Sequence, residues 1–251
     1  MLASHNSLRI IYGEEIKEEE FPYVVGLNLM TMFHKKNISV RLCTGSMLKE
    51  NWGITAGHCM PRSFVRKNFT TAIWHSSIPP SQSLKTPVVV QWHVHPSYRV
   101  YDTARLPDLI VDNDISLFRS EPEIKLTRYA RLSALDRGSL QGLPIIYIGG
   151  GRNNTKKSRS FRNEPLRKGY GVVIACNELM NTKSKHILCI SPKCEDYSQR
   201  PWFGDSGGPL IYDDQLVGVC SFGTHEGRVS QNAFVAISSY INWISDIMQV
   251  K

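Results

Sequence analysis

The sequence has no run approaching the roughly 20 apolar residues that a membrane-crossing helix needs, so no membrane span is expected. The nine residues before Ile10, Met1 to Arg9, lack the apolar core of a secretory signal, and any such signal is expected to have been removed. No internal repeat and no long low-complexity linker divides the 251 residues, which favours one compact fold over an array. Acidic residues are in deficit, 22 against 30 Lys and Arg, for a formal charge of +8. A polyanion-binding surface would need those cations clustered. The densest run, Lys156 to Arg162, sits among Asn, Ser and Thr after a glycine triplet and reads as a solvated loop, so nucleic acid is not an expected partner.

What is present is ordinary globular material, 41% hydrophobic and 21% charged. Short stretches rich in β-branched and aromatic residues recur: Tyr23 to Met30, Ile38 to Leu48, Pro87 to His95, Ile115 to Phe118, Leu143 to Ile148, Gly171 to Ala175 and Pro209 to Phe222. Many short strands with few helical patterns predict an all-β barrel or sandwich. One helix is predicted at the C-terminus, where Ile237, Ile241, Ile244 and Met248 recur at helical spacing behind Ser238 or Ser239 as N-cap, and it is expected to pack on the last barrel. The polar stretch Glu121 to Arg137 is the expected connection between two halves. Six cysteines and the Asn-x-Ser/Thr sequons at Asn37, Asn68 and Asn153 fit an oxidising, secreted and glycosylated protein.

Acyl transfer by a serine needs a base for the hydroxyl proton, a carboxylate to fix that base's tautomer, and backbone donors for the oxyanion. Gly204-Asp205-Ser206-Gly207-Gly208-Pro209 offers a nucleophile, although alone it would also suit a tight glycine-rich turn. His58 in Thr55-Ala56-Gly57-His58-Cys59 offers a base; with no second histidine at ligand spacing it does not read as a metal ligand. Asp114, in Asp112-Asn113-Asp114-Ile115-Ser116-Leu117, offers the acid, with Asp112 its competitor.

Together, in this order and separation, the three motifs resemble the chymotrypsin-like serine proteases. The resemblance runs from Ile10-Ile11-Tyr12-Gly13 through Cys43-Thr44-Gly45-Ser46 and His95-Pro96-Ser97-Tyr98 to Trp243-Ile244, and the opening residues are similar to arthropod members. It implies two packed six-stranded antiparallel β-barrels with a C-terminal helix: residues 1–9 a propeptide or residual segment, 10–125 the first barrel, 126–251 the second with the terminal helix. It implies Ser206 as nucleophile, His58 as proton shuttle and Asp114, directly before the Ile-x-Leu strand, as the carboxylate. The amides of Gly204 and Ser206 would form the oxyanion hole, and Ser221, Phe222 and Gly223 would line the substrate strand. Cleavage between Arg9 and Ile10 by an activating protease would free an ammonium to pair with Asp205. The pairs Cys43 with Cys59 and Cys176 with Cys189 are implied as disulfides, leaving Cys194 and Cys220 either joined or with Cys220 a buried thiol. Expected partners are a polypeptide substrate, the activator and protein protease inhibitors, with the chain a monomer and no cofactor.

Several residues depart from the family. Its pocket base, six residues before the nucleophile, is Arg200 here, where trypsin-like members carry Asp. A cation there would repel substrate Lys or Arg. The pocket is left to an acidic side chain or, with Arg200 turned to solvent, to an uncharged one bounded by Gly223 and Asn232. A usual bracing cysteine is replaced by Trp202. These departures motivate an alternative, a protease-fold binding or effector protein with little turnover. The stretch Arg66 to Gln82 has no acidic residue, so the family's calcium loop is not expected, and His93 with His95 reads as a loop entry, not a metal site.

Overall fold

Pairing begins where β-branched and aromatic residues alternate with polar ones, since such side chains fit a pleated, half-buried surface. In the computed structural model, residues 10, 13–17, 19–33, 36–60, 70–74, 86–101, 110–150, 166–192, 201, 204–226 and 229–249 are described. Strands of the first half are β1 (Glu14–Glu15), β2 (Val24–Phe33), β3 (Lys36–Met47), β4 (Trp52–Thr55), β5 (Thr70–Trp74), β6 (Val88–Val94), β7 (Arg99–Tyr101), β8 (Ile110–Asp112) and β9 (Ser116–Glu121). The second half carries β10 (Pro144–Gly149), β11 (Arg167–Ile174), α1 (Glu178–Lys183), β12 (Ile187–Pro192), β13 (Pro209–Tyr212), β14 (Gln215–Glu226), β15 (Val229–Ala236) and α2 (Ile241–Gln249).

Two antiparallel barrels result. The first closes in the order β2-β3-β4-β9-β6-β5; the second runs β11-β10-β13-β14-β15-β12 and closes through β11 with β12. Closure leaves no long unpaired edge, which is how a sheet of this size avoids edge-to-edge association. The chain's start crosses to the second barrel: β1 pairs with β11, and Ile10 is fully buried among Leu140, Ile145, Val173, Leu210 and Phe234. Ile10 holds φ 26°, a costly conformation for a β-branched residue.

The halves are joined by polar as well as apolar contacts. Arg41 on β3 is buried; its Nε donates to Asn28 Oδ1 at 2.7 Å, its Nη1 to the Gly150 carbonyl of the second half at 3.3 Å, and its guanidinium lies over Trp74. Disulfides Cys43–Cys59 and Cys176–Cys189 span sequence separations of 16 and 13 residues. Loops of that length stabilise by about 3 kcal/mol each in the chain-entropy account.

Two helical expectations need correction. The terminal helix is led in by a 3-10 turn, Ile237–Tyr240, so no serine caps α2. Nor does it rest on the second barrel alone: Tyr240 and Trp243 stand edge-on to His95 at the end of β6, and Ile244 is buried in the cluster that includes Trp52 and Phe118. The apolar stripe goes where aromatic surface is offered. α1 was not anticipated; Asn177 caps it by accepting from Met180 N at 2.8 Å.

Candidate active site

The barrels meet around a carboxylate with no exposed surface. Asp114 follows Asn113, whose left-handed φ of 51° turns the chain into β9. Asparagine tolerates that conformation better than most residues. Tyr240 Oη donates to Asn113 Oδ1 at 2.8 Å, and Asn113 Nδ2 donates to the Ser97 carbonyl at 3.0 Å, which fixes the turn from two sides.

Asp114 is satisfied by three donors. The backbone N–H of His58 reaches Oδ1 at 2.8 Å, His58 Nδ1 lies 2.7 Å from Oδ2, and Ser221 Oγ donates to Oδ2 at 2.5 Å. Burial alone would raise the Asp114 pKa, but the His58 charge and these hydrogen bonds outweigh it and hold the carboxyl below its ordinary range. Burial likewise pulls His58 down, yet Asp114's charge and hydrogen bond win and lift the imidazole above its ordinary 6.5. An ionised carboxylate can only accept, so Nδ1 carries the proton and Nε2 keeps a lone pair. The ring is a third exposed, so that lone pair is within reach of the outside. Asp112, the alternative acid, instead accepts from Ser184 Oγ at 3.4 Å and forms no bond to His58.

The Gly204–Pro209 loop is drawn onto the same place. Ser206, partly exposed, accepts at its carbonyl from Thr44 N at 2.8 Å, with Cys59 Sγ, from the residue after His58, 3.8 Å away. The next residue, Gly207, donates to the carbonyl of Cys220, whose neighbour Ser221 holds Asp114. The loop backbone therefore lies one residue from both His58 and Ser221. Two glycines are required here: Gly204 at φ 97° and Gly207 at φ 79°, where an added Cβ would stand 1.9 Å from Thr55 Oγ1 and 2.3 Å from the Thr44 carbonyl. Asp205 is buried, its carboxylate against Gly149.

Cys220 is a free, buried thiol. Burial pushes it well above its ordinary value and the charges of Asp205 and Asp114 push the same way, so it stays protonated. It faces the second barrel's core, while a bulge between Cys220 and Phe222 turns Ser221 toward Asp114. Farther along β14, Phe222 packs on Met180, Ile187 and Ala233, and Gly223 faces Asn232 across the ladder. Asn232 is buried, and its Nδ2 has no hydrogen-bond partner among the described residues. The sulfurs nearest His58 are those of the Cys43–Cys59 disulfide and are not available as metal ligands.

Arg9, Cys194, Arg200, Trp202, Asn68 and Asn153 lie outside the described residues, as does the side chain of Asn37. What sequence reading missed is Thr44, fully buried, whose Oγ1 donates to the Gly204 carbonyl at 2.8 Å and accepts from Gly150 N at 3.0 Å. A threonine in a strand carries no signal of this, because both partners arrive from the other half of the chain.

The family pattern described as Trypsin matches residues 10–244. The chain is 26% identical over 246 residues to a chymotrypsin of Phaedon cochleariae, covering 95% of this chain and 82% of that protein. It is also 26% identical to granzyme B(G,H) of Mus musculus, covering 96% and 91%. Among solved structures it resembles neuropsin, a serine protease expressed in the limbic system of mouse brain, with a TM-score of 0.67, 22% identity, and coverage of 95% of this chain and 99% of that one.

Proposed function

The chain belongs to the trypsin family of serine proteases, hydrolases acting on peptide bonds, and from that membership we propose that it is a secreted serine endopeptidase working through Ser206, His58 and Asp114. The observation that carries the reading is the buried Asp114, which sets His58 in the tautomer a general base needs.

Ser206 Oγ attacks the scissile carbonyl while His58 Nε2 takes its proton. His58 then protonates the leaving amine; water repeats the sequence on the acyl-enzyme. Asp114 stabilises the imidazolium without taking the proton. The amides of Gly204 and Ser206 receive the oxyanion, each such donor being worth roughly 3 kcal/mol in the transition state.

Activation by a protease cutting after Arg9 is supported by Ile10, buried in the same cluster as Cys220, whose thiol feels the charge of Asp205. The ammonium created at Ile10 pairs with Asp205, and an N-terminal residue has no preceding peptide to impose φ 26°. Secretion is supported by the two disulfides. Glycans at Asn37, Asn68 and Asn153, protein inhibitors as partners, a monomeric state and a division of the chain at 125/126 belong to the same proposal.

Arg200, six residues before Ser206, argues against Lys or Arg at P1. The buried Asn232 amide opposite Gly223 adds a polar group on the strand pair that would bound the pocket. A peptide library digested by the chain cleaved after Arg9 tests both points: defined cleavage with an acidic or uncharged P1 is expected. Cleavage after Lys or Arg would refute the pocket reading. Absence of any cleavage would favour a binding or effector protein built on the protease fold.

A further inference from the structure

We infer that the Thr44 hydroxyl is a positioning residue for catalysis, holding the peptide plane between Gly204 and Asp205 so that the Gly204 and Ser206 amides in the planes on either side of it keep their aim at the developing oxyanion; this rests on the serine endopeptidase reading. A trans peptide carries the N–H of the following residue opposite its carbonyl, so whatever holds a carbonyl aims the next residue's amide. Three consecutive planes surround Ser206, and the carbonyl of each accepts a hydrogen bond. The Gly204 carbonyl accepts from Thr44 Oγ1 at 2.8 Å, the Asp205 carbonyl from Gly208 N at 2.9 Å, and the Ser206 carbonyl from Thr44 N at 2.8 Å. The Ser206 amide lies in the middle plane, held by Gly208 N, and Thr44 holds the planes on both sides of it, one from its side chain and one from its backbone.

The side-chain bond is the one that can be lost. Gly204 sits at φ 97°, and glycine alone moves freely among several such conformations. Pinning its carbonyl fixes the plane that links those of the Gly204 and Ser206 amides and so limits how far either can turn. Thr44 Oγ1 is itself oriented, because it accepts from Gly150 N at 3.0 Å and so directs its single proton to Gly204. The Thr44 carbonyl accepts from Thr55 Oγ1 at 2.8 Å, on the strand that leads into His58. A buried threonine on β3 thus ties the loop of the nucleophile to the strand of the base.

The test compares wild type, Thr44→Val and Thr44→Ser, each cleaved after Arg9 and counted by titration with a fluorophosphonate. Val keeps the shape and removes the hydroxyl; Ser restores the hydroxyl. The expected result is a fall in kcat of about tenfold for Thr44→Val, smaller than deletion of an oxyanion donor outright, with KM within about twofold. Affinity for a peptide boronate, which mimics the tetrahedral state, falls by the same factor, and Thr44→Ser returns both to wild type. If Thr44→Val does not fold, Thr44→Ala against Thr44→Ser gives the same comparison. Wild-type kcat per titrated site in the hydroxyl-free variant, or a loss confined to KM, overturns the assignment. An unlabelled, inert wild type overturns it too, through the endopeptidase reading and not through Thr44.

Discussion

Asp114 is where burial and charge oppose each other most directly, and the outcome is measurable. Its charge lifts His58 above 6.5 against the downward pull of burial. In the proposed mechanism only neutral His58 acts as base, so kcat/KM should rise with pH through that lifted value. Asp114→Asn removes the lift, so the rising limb should move to lower pH while the rate falls about 10⁴-fold from loss of the correct tautomer. A pH–rate profile checks both; a limb that does not move would show that Asp114 is not the source. At this scale the site was half legible. His58, Asp114 and Ser206 stand out because their chemistry demands those residue types, and Gly207 because its left-handed turn excludes a side chain. Thr44 and Arg41 do not, because what they do is decided by carbonyls of Gly204 and Gly150 more than 100 positions away.

Among elements, strands with clear alternation were readable, and most lie within a few residues of where β2, β3, β6, β10 and β13 form. β4 and β12 were not picked out as strands, since a four- to six-residue apolar run looks the same whether it becomes strand or helix. α1 is too short for its period to register. The lead-in to α2 reaches the candidate site, because Tyr240 ends it and donates to Asn113 beside Asp114. Tyr240→Phe leaves a partner-deprived carbonyl and should cost about 1 kcal/mol. Denaturant midpoints of the two proteins measure this. An unchanged midpoint would mean that the bond contributes nothing to holding the turn.

For the whole molecule, strand content points to an all-β barrel or sandwich and the family resemblance to two barrels, but neither says which barrel receives the helix. An amphipathic stripe specifies that it must be covered and is silent on the cover; His95 of the first barrel supplies part of it, edge-on to Trp243. The N-terminal segment makes the same point, since nothing local to Ile10 says that it will be buried among Leu140, Val173 and Phe234. We propose that these long-range contacts assemble a reactive serine. Reaction of the chain, before and after cleavage at Arg9-Ile10, with a fluorophosphonate, followed by mass spectrometry of the adduct, tests this. The expected result is a single adduct on Ser206 after cleavage, little before it, and none in Ser206→Ala or at Cys220. A correctly cleaved, folded protein that takes up no label, or that labels equally in Ser206→Ala, would contradict it.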